Sequence, residues 1–212
     1  MKNLCEKIKS MYKDKIEYMP LNAILDYIQP TNYLVSSTDY KDDYEIPVLT
    51  AGQTFILGYT NETNGIYQAS KEKPVIIFDD FTTSFHWVDF PFKVKSSAMK
   101  MLIVKDEMKS KVDFRYMFYI MSNIKYEPKE HSRQWIQTYS NFEIAVPPME
   151  AQREIVHILD EFSLLSAELS AELKARQQQY KYYRDKLLSF DEKAETLGVV
   201  HTHTHTHTQA LR

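Results

Sequence analysis

The polar side chains of this 212-residue chain gather in runs whose residue types suit the reading of nucleic-acid bases. TAGQTFILGYTNETNG supplies Thr50, Gln53, Thr54, Tyr59, Asn61, Thr63 and Asn64, and side-chain amides pair bidentately with adenine in the major groove. The same residue types are ordinary turn formers, so a purely structural loop is the competing reading. FDDFTTSFHW then places Asp79, Asp80, Thr82, Thr83, Ser84 and His86 just after a strand of buried type. Carboxylates there could accept from cytosine, the rival being an acidic turn with a satisfied histidine. A basic and hydroxyl-bearing run follows at Lys93, Lys95, Ser96, Ser97 and Lys100, with Lys71 and Lys73 upstream and Lys129, His131, Arg133 and Trp135 downstream. Cations of this kind suit phosphate contacts, although a solvated lysine face explains any single cluster.

Catalytic patterns are missing from the same sequence. A DNA methyltransferase needs a glycine-rich cofactor loop and an Asn/Asp-Pro-Pro-aromatic motif; the chain has four glycines, and its Pro147-Pro148 is followed by Met149. There is no GxxxxGK[ST] loop for nucleotide-driven work. A metal-dependent nuclease would build on Asp79 or Asp80, but no compact constellation in the sequence completes the site. The alternating His201, His203, His205 and His207 could hold a divalent ion in an extended chain, yet they sit in a dipeptide repeat with no means of building a core. The expectation is a non-catalytic chain without a cofactor.

Hydrophobic periodicity indicates which elements would position these runs. Leu4, Ile8, Met11, Tyr12 and Ile16 recur at helical spacing, predicting an amphipathic helix over 1–15. A short helix is expected over Leu21–Ile28, ending near Pro30. Strands are expected at Ile46–Leu49, Thr54–Tyr59, Val75–Phe78, Trp87–Asp89, Phe92–Val94 and Met101–Val104, forming a small mixed β region. DFRYMFYIMSNI, Asp113 to Ile124, reads as a packed helix with an acidic start. Beyond Pro147 and Pro148 one helix is expected to Phe190. Its heptad has a at Leu159, Ser166, Leu173, Tyr180 and Leu187, and d at Ile155, Phe162, Leu169, Arg176 and Tyr183. Such a seam needs a partner. The divisions are therefore 1–15, a globular domain over 16–146, the long helix over 147–190, and a low-complexity tail over 191–212.

Composition sets outer limits. An apolar fraction of 43% and an aromatic fraction of 13% suffice for a packed core. A formal charge of −3 gives no global nucleic-acid signature, so any such surface must be local. The single cysteine, Cys5, rules out an intrachain disulfide and suits a reducing compartment. No run is long and apolar enough for a membrane span, so a cytoplasmic protein is expected.

Two blocks in the long helix carry a resemblance: Pro148, Glu150, Gln152, Ile155, Val156, Leu159 and Asp160 at its start, and Arg176, Gln178, Tyr180, Tyr182, Tyr183, Arg184, Asp185, Leu187, Leu188 and Phe190 near its end. They resemble the DNA-specificity (S) subunits of type I restriction-modification enzymes. EYMPLNAILDYIQP, IPVLTAG, IIFDDFT and FPFKVKSSAMK extend the likeness into the preceding domain, so that it covers most of 16–190. The resemblance implies an α+β fold, with a mixed α/β target-recognition domain followed by a long helix that forms an antiparallel coiled coil with a partner copy. It further implies double-stranded DNA, a second copy, and methylation and restriction subunits as partners. Members normally carry two such domains and two helices, so two copies here would read an inverted repeat separated by unread spacer. The competing classes are a coiled-coil adaptor with a protein-binding domain and a metal-dependent nuclease.

Overall fold

The computed structural model describes residues 10, 12–52, 54–128 and 132–189. The chain forms two compact units, one running to Asp160 and one from Glu161. Most of the helix expected over 1–15, the tail over 191–212, and Gln53, Lys129, His131 and Phe190 lie outside the described residues.

The first unit is built on three small sheets. Strand β1, Glu17–Pro20, pairs antiparallel with the last strand, β9, Glu143–Val146. Helix α1, Leu21–Ile24, leads from β1 into β2, Leu25–Ile28. The latter opens a four-stranded antiparallel sheet with β5 at Val75–Asp79, β6 at Phe85–Val88 and β8 at Met99–Val104, in the order β2-β8-β5-β6. In the third sheet β3, Ile46–Leu49, lies between β4, Ile56–Thr60, and the two-residue β7, Lys93–Val94.

The apolar run VIIF in β5 shows why the centre packs as it does. Successive strand residues point to opposite faces. Ile76 and Phe78 accordingly join one buried cluster, while Val75 and Ile77 join another. The first cluster fills the space under helix α2, Phe114–Ser122, and gathers Trp135, Tyr139 and Ile144. The second packs Leu49, Val88, Phe92 and Val94 beneath the three-stranded sheet. Helix α2 starts where expected because the Asp113 carboxylate caps it. That carboxylate accepts from the amides of Arg115 at 2.8 Å and Tyr116 at 3.3 Å.

Several expectations need correction. Leu21–Ile28 is not one helix: after α1 the chain extends into β2, because Leu25 to Ile28 pair with Val104 to Met101. Strand β6 begins two residues before the expected Trp87 and β8 two before Met101, whereas β3 has the expected bounds. Strands β1 and β9 lie outside the expected set. Their pairing brings residue 17 beside residue 146, joining the two ends of the globular part.

A short helix, α3 at Gln134–Gln137, precedes the long α4, Met149–Leu188. The expected entry at Pro147 and Pro148 holds, since proline lacks only an amide that the first turn cannot use. Helix α4 is 40 residues long, about 60 Å at the usual rise per residue. No helix among the described residues is long and apolar enough to cross a membrane.

Candidate nucleic-acid interface

Backbone hydrogen bonds bring four loops to one end of the first unit. The turn after β3 closes on itself, with Thr50 Oγ1 donating to the Thr54 carbonyl at 2.8 Å and the Thr50 amide donating to the Phe55 carbonyl at 3.0 Å. His86 holds this turn from the neighbouring sheet: its Nε2 lies 2.8 Å from the Gly52 carbonyl, and Phe55 packs on its ring with centroids 4.7 Å apart. The Lys95 amide donates to the Leu49 carbonyl at 3.1 Å, setting the loop after β7 beside the same turn.

The β5–β6 hairpin joins this group. Asp79 organises it, its Oδ1 accepting from the amides of Phe81 at 2.9 Å and Thr82 at 2.8 Å. Thr83 takes a left-handed φ of 59° and donates its amide to the Asp79 carbonyl at 3.0 Å. A β-branched residue is unusual in that conformation. The Asp80 amide reaches the Ala98 carbonyl at 3.0 Å, and the Asp80 carbonyl accepts from the Gln134 amide at 2.7 Å. Loops 50–55, 80–84, 95–98 and 132–135 are therefore neighbours. They present Thr54, Thr82, Lys95, Ser96, Ser97 and Arg133 as exposed side chains. Lys95 Nζ lies over the Tyr40 ring, 5.9 Å from its centroid. The attraction of the ring face for the ammonium restrains a flexible cation.

Other anticipated contacts are placed inside. Asp80 is fully buried: its Oδ1 accepts from the Trp135 amide at 2.8 Å, and its Oδ2 lies 3.8 Å from both Lys100 Nζ and Arg133 NH1. Lys100 is buried against Asp80 with its ammonium 4.5 Å from the Tyr27 ring centroid. Burial pushes its pKa down, with the Asp80 carboxylate opposing. Trp135 is buried beside Tyr139 and Phe78, and Thr83 is almost closed off. Lys93 is buried too, donating to the Asn64 carbonyl at 2.6 Å and pairing with Glu62 at 3.0 Å. Burial raises the Glu62 pKa, but the amides of Ser37 and Ser36 and the Lys93 ammonium outweigh it, so the carboxyl sits below its ordinary value. As folded, none of Asp80, Thr83, Lys93, Lys100 and Trp135 offers a side chain to a groove; the expectation for these positions is corrected to a structural one.

The remaining candidates lie elsewhere. Strand β4 runs away from the 50–55 turn, Leu49 pairing with Ile56 and Ile46 with Thr60, so Asn61, Thr63 and Asn64 emerge at the far end of that sheet. Gly65 completes their turn at φ 61°, where a Cβ would meet the Asn32 carbonyl oxygen at 2.6 Å. Glycine alone takes that position without a clash. Tyr59 is half-buried within β4. Lys71 and Lys73 precede β5 and hence lie at the end opposite its hairpin. The structure splits the anticipated set in two. Among the described residues no cluster of three His, Cys, Asp or Glu side chains is arranged to hold a metal.

The first three turns of α4 are anchored in the first unit. Gln152 is fully buried; its Oε1 accepts from the Asp113 amide at 2.9 Å, and its Nε2 donates to the carbonyls of Lys111 at 2.9 Å and Pro147 at 2.8 Å. Arg115 NH2 reaches Asp160 at 2.8 Å. Ile155 and Val156 pack against the core, and Leu159 shares an apolar groove with Tyr116, Tyr119 and Ile120. Ile155, anticipated as a partner-facing seam residue, therefore also serves its own domain. From Phe162 onward the seam is open: Phe162, Leu169, Leu173, Tyr180, Tyr183 and Leu187 are each 47–71% exposed. Gln152 escaped the reading of chemistry-bearing residues because a glutamine in a helical first turn looks like a solvated one. Its signal was a polar residue one turn before Ile155 and Val156, on the side that docks.

The family model described as the type I restriction modification DNA specificity domain matches residues 13–176. Over 198 residues the chain is 54% identical to the EcoR124I/EcoR124II specificity subunit of Escherichia coli, covering 88% of this chain and 48% of that protein. It is 27% identical to a putative specificity subunit of Haemophilus influenzae, covering 87% of this chain and 49% of that one. The chain thus spans about half the length of these relatives. Among solved structures, the S subunit of the M. genitalium type I restriction-modification system aligns with a TM-score of 0.58 at 14% identity, covering 84% of this chain and 47% of that one. A chain from a structure addressing complex assembly of the type I system aligns at 0.54, again with 14% identity, over 80% of this chain and 43% of that one. These two likenesses extend to the fold.

Proposed function

This chain belongs to the type I restriction-modification DNA specificity family, whose members are non-catalytic specificity subunits, and on that premise we propose that it reads duplex DNA as a dimer. The loop end carrying Thr54, Thr82, Lys95, Ser96 and Arg133 meets the DNA. Lys95 and Arg133 take phosphates, and the hydroxyls and the turn containing Gln53 reach base edges. Asn61, Asn64 and Lys71 contribute only where the duplex extends to the far end of the domain. Two copies joined through α4 hold two identical domains about a twofold axis, so they read an inverted repeat with an unread spacer. Methylation and restriction subunits are recruited to that dimer and supply the chemistry.

One observation carries this reading above the others: six large apolar or aromatic seam residues of α4, from Phe162 to Leu187, are exposed at heptad spacing. A continuous stripe of that kind marks an interaction site, and a heptad seam is satisfied by another helix. Sedimentation of the purified chain, of 25.1 kDa per copy, tests the first half; the dimer mass is expected, and a monomer at micromolar concentration refutes it. Binding to labelled duplex across a salt series tests the second half. Affinity should fall linearly with salt on logarithmic axes, whereas no duplex binding at any salt would favour a protein-binding adaptor.

A further inference from the structure

The sequence offers His86 as a candidate for touching DNA, but its place in the fold gives it another task. On β6, His86 pairs with Ile77 of β5, and Val88 pairs with Val75. Side chains alternate along a strand, so His86 lies on the face of Val88, which joins the cluster beneath the three-stranded sheet, whereas Phe85 and Trp87 pack on the other cluster. The imidazole is half-buried and meets the turn after β3.

The tip of that turn lies beyond the β3–β4 ladder, which shifts register between Val48 and Leu49 and ends at the Leu49–Ile56 pair. Thr50 clasps the turn from within, its amide donating to the Phe55 carbonyl and its hydroxyl to the Thr54 carbonyl, while the Gly52 amide donates to the same hydroxyl at 3.2 Å. The Lys95 amide holds the base of the turn at Leu49. Nearer the tip, the Gly52 carbonyl is taken by His86 Nε2 at 2.8 Å. A carbonyl only accepts, so Nε2 carries the proton and donates. Phe55 covers the imidazole with centroids 4.7 Å apart and is itself backed by Phe90 at 6.2 Å. Two residues before His86, the Ser84 carbonyl accepts from the Asp79 amide at 2.8 Å, closing the hairpin that presents Thr82. One short strand therefore carries both that hairpin and the group that grips the turn presenting Thr54.

Resting on the DNA reading proposed above, we propose that His86 is a positioning residue for base recognition: it fixes turn 50–55 relative to the 79–84 hairpin and does not itself read a base. With its Nε2 committed to Gly52 and its ring covered by Phe55, it acts on sequence preference through the two loops it joins. Phosphate contacts carry no sequence information, so loosening this link lowers discrimination between sequences while the contacts of Lys95 and Arg133 persist.

Selection of duplexes from a randomised pool by the full chain tests this, followed by fluorescence anisotropy on the enriched duplex and its single-base variants. His86→Phe keeps an aromatic ring against Phe55 but leaves the Gly52 carbonyl without its donor. It should enrich a blurred form of the parent's sequence, with preference over single-base variants reduced about fivefold, the worth of one hydrogen bond. The logarithmic salt slope should be unchanged. His86→Gln, whose side-chain amide can donate to the same carbonyl, should restore the parent's preference. Should His86→Phe fail to fold by circular dichroism, Phe55→Leu loosens the same contact from the side of the turn and should give the same blurring. Variants as discriminating as the parent would overturn the inference and leave DNA reading intact, as would blurring that His86→Gln fails to reverse. A switch to a different base at one position in His86→Gln would mark His86 as a direct reader and overturn it as well. A parent chain that enriches no sequence would remove the DNA reading and this inference together.

Discussion

Gln152 is the joint on which the start of α4 depends, and its replacement by alanine allows a quantitative prediction. The side chain is fully buried and makes three hydrogen bonds, to the Asp113 amide and to the carbonyls of Lys111 and Pro147. Each is worth roughly 1 kcal/mol net, and a buried group left unpaired costs somewhat more. Loss of a buried methylene adds about 0.8 kcal/mol. The sum is a destabilisation of roughly 3–5 kcal/mol. For a unit of this size each kcal/mol shifts the melting temperature by about 2–4 °C, so Gln152→Ala should melt roughly 6–20 °C below the parent. Urea unfolding followed by far-UV circular dichroism and thermal melts of both proteins provide the assay. Gln152→Glu should be no rescue, because a carboxylate can still accept from the Asp113 amide but cannot donate to two carbonyls. A melting temperature within about 2 °C of the parent for Gln152→Ala would refute the assignment of a buried joint.

Asp80→Ala should cost about 3–5 kcal/mol by leaving the buried Lys100 ammonium uncompensated; adding Lys100→Met should recover a large part, and a strictly additive double-mutant cycle in urea unfolding would contradict the pairing. Lys95→Ala and Arg133→Ala should each weaken duplex binding at every sequence and flatten the logarithmic salt slope by about 1 per copy, measured by fluorescence anisotropy, whereas Thr82→Ala should leave that slope unchanged. Glu62 has a folded pKa below its ordinary value, so its stabilisation is complete above the unfolded value and is lost as pH falls through the folded one. The stability gap between the parent and Glu62→Gln should therefore be constant from neutrality to about pH 5 and close below it; a gap that widens in acid, read from urea midpoints at each pH, would reverse the sign.

The long helix is legible in the sequence because its signals are local and redundant: two prolines at the entry, then a heptad repeated to Leu187. Strands β3 and β5 are legible for a similar reason, each a short apolar run bounded by turn residues. Strands β1 and β9 are not, since EYMP includes a proline and two exposed residues, and only its pairing with distant residues 143–146 makes it a strand. Leu21, Ile24, Leu25 and Ile28 have helical spacing, and it is the tertiary partner β8 that takes the second half of that run as strand. The candidate interface divides for a physical reason as well. Asp80, Lys93 and Lys100 are charged, and charge reads as surface until a partner of opposite sign is found. Lys100 nonetheless carries a hint, sitting in MKMLIV with apolar neighbours on both sides. The convergence of loops 50–55, 80–84, 95–98 and 132–135 is set by hydrogen bonds between distant segments, which no single run encodes.

The proposed dimer places two copies of one recognition domain on one site. Co-expression of the chain with a cognate methylation subunit, followed by mapping of methylated adenines across a genome, tests it most directly. Methylation confined to a split inverted repeat, with identical half-sites about a fixed spacer, is the predicted result. An asymmetric bipartite site would require two different recognition domains and would contradict a symmetric dimer.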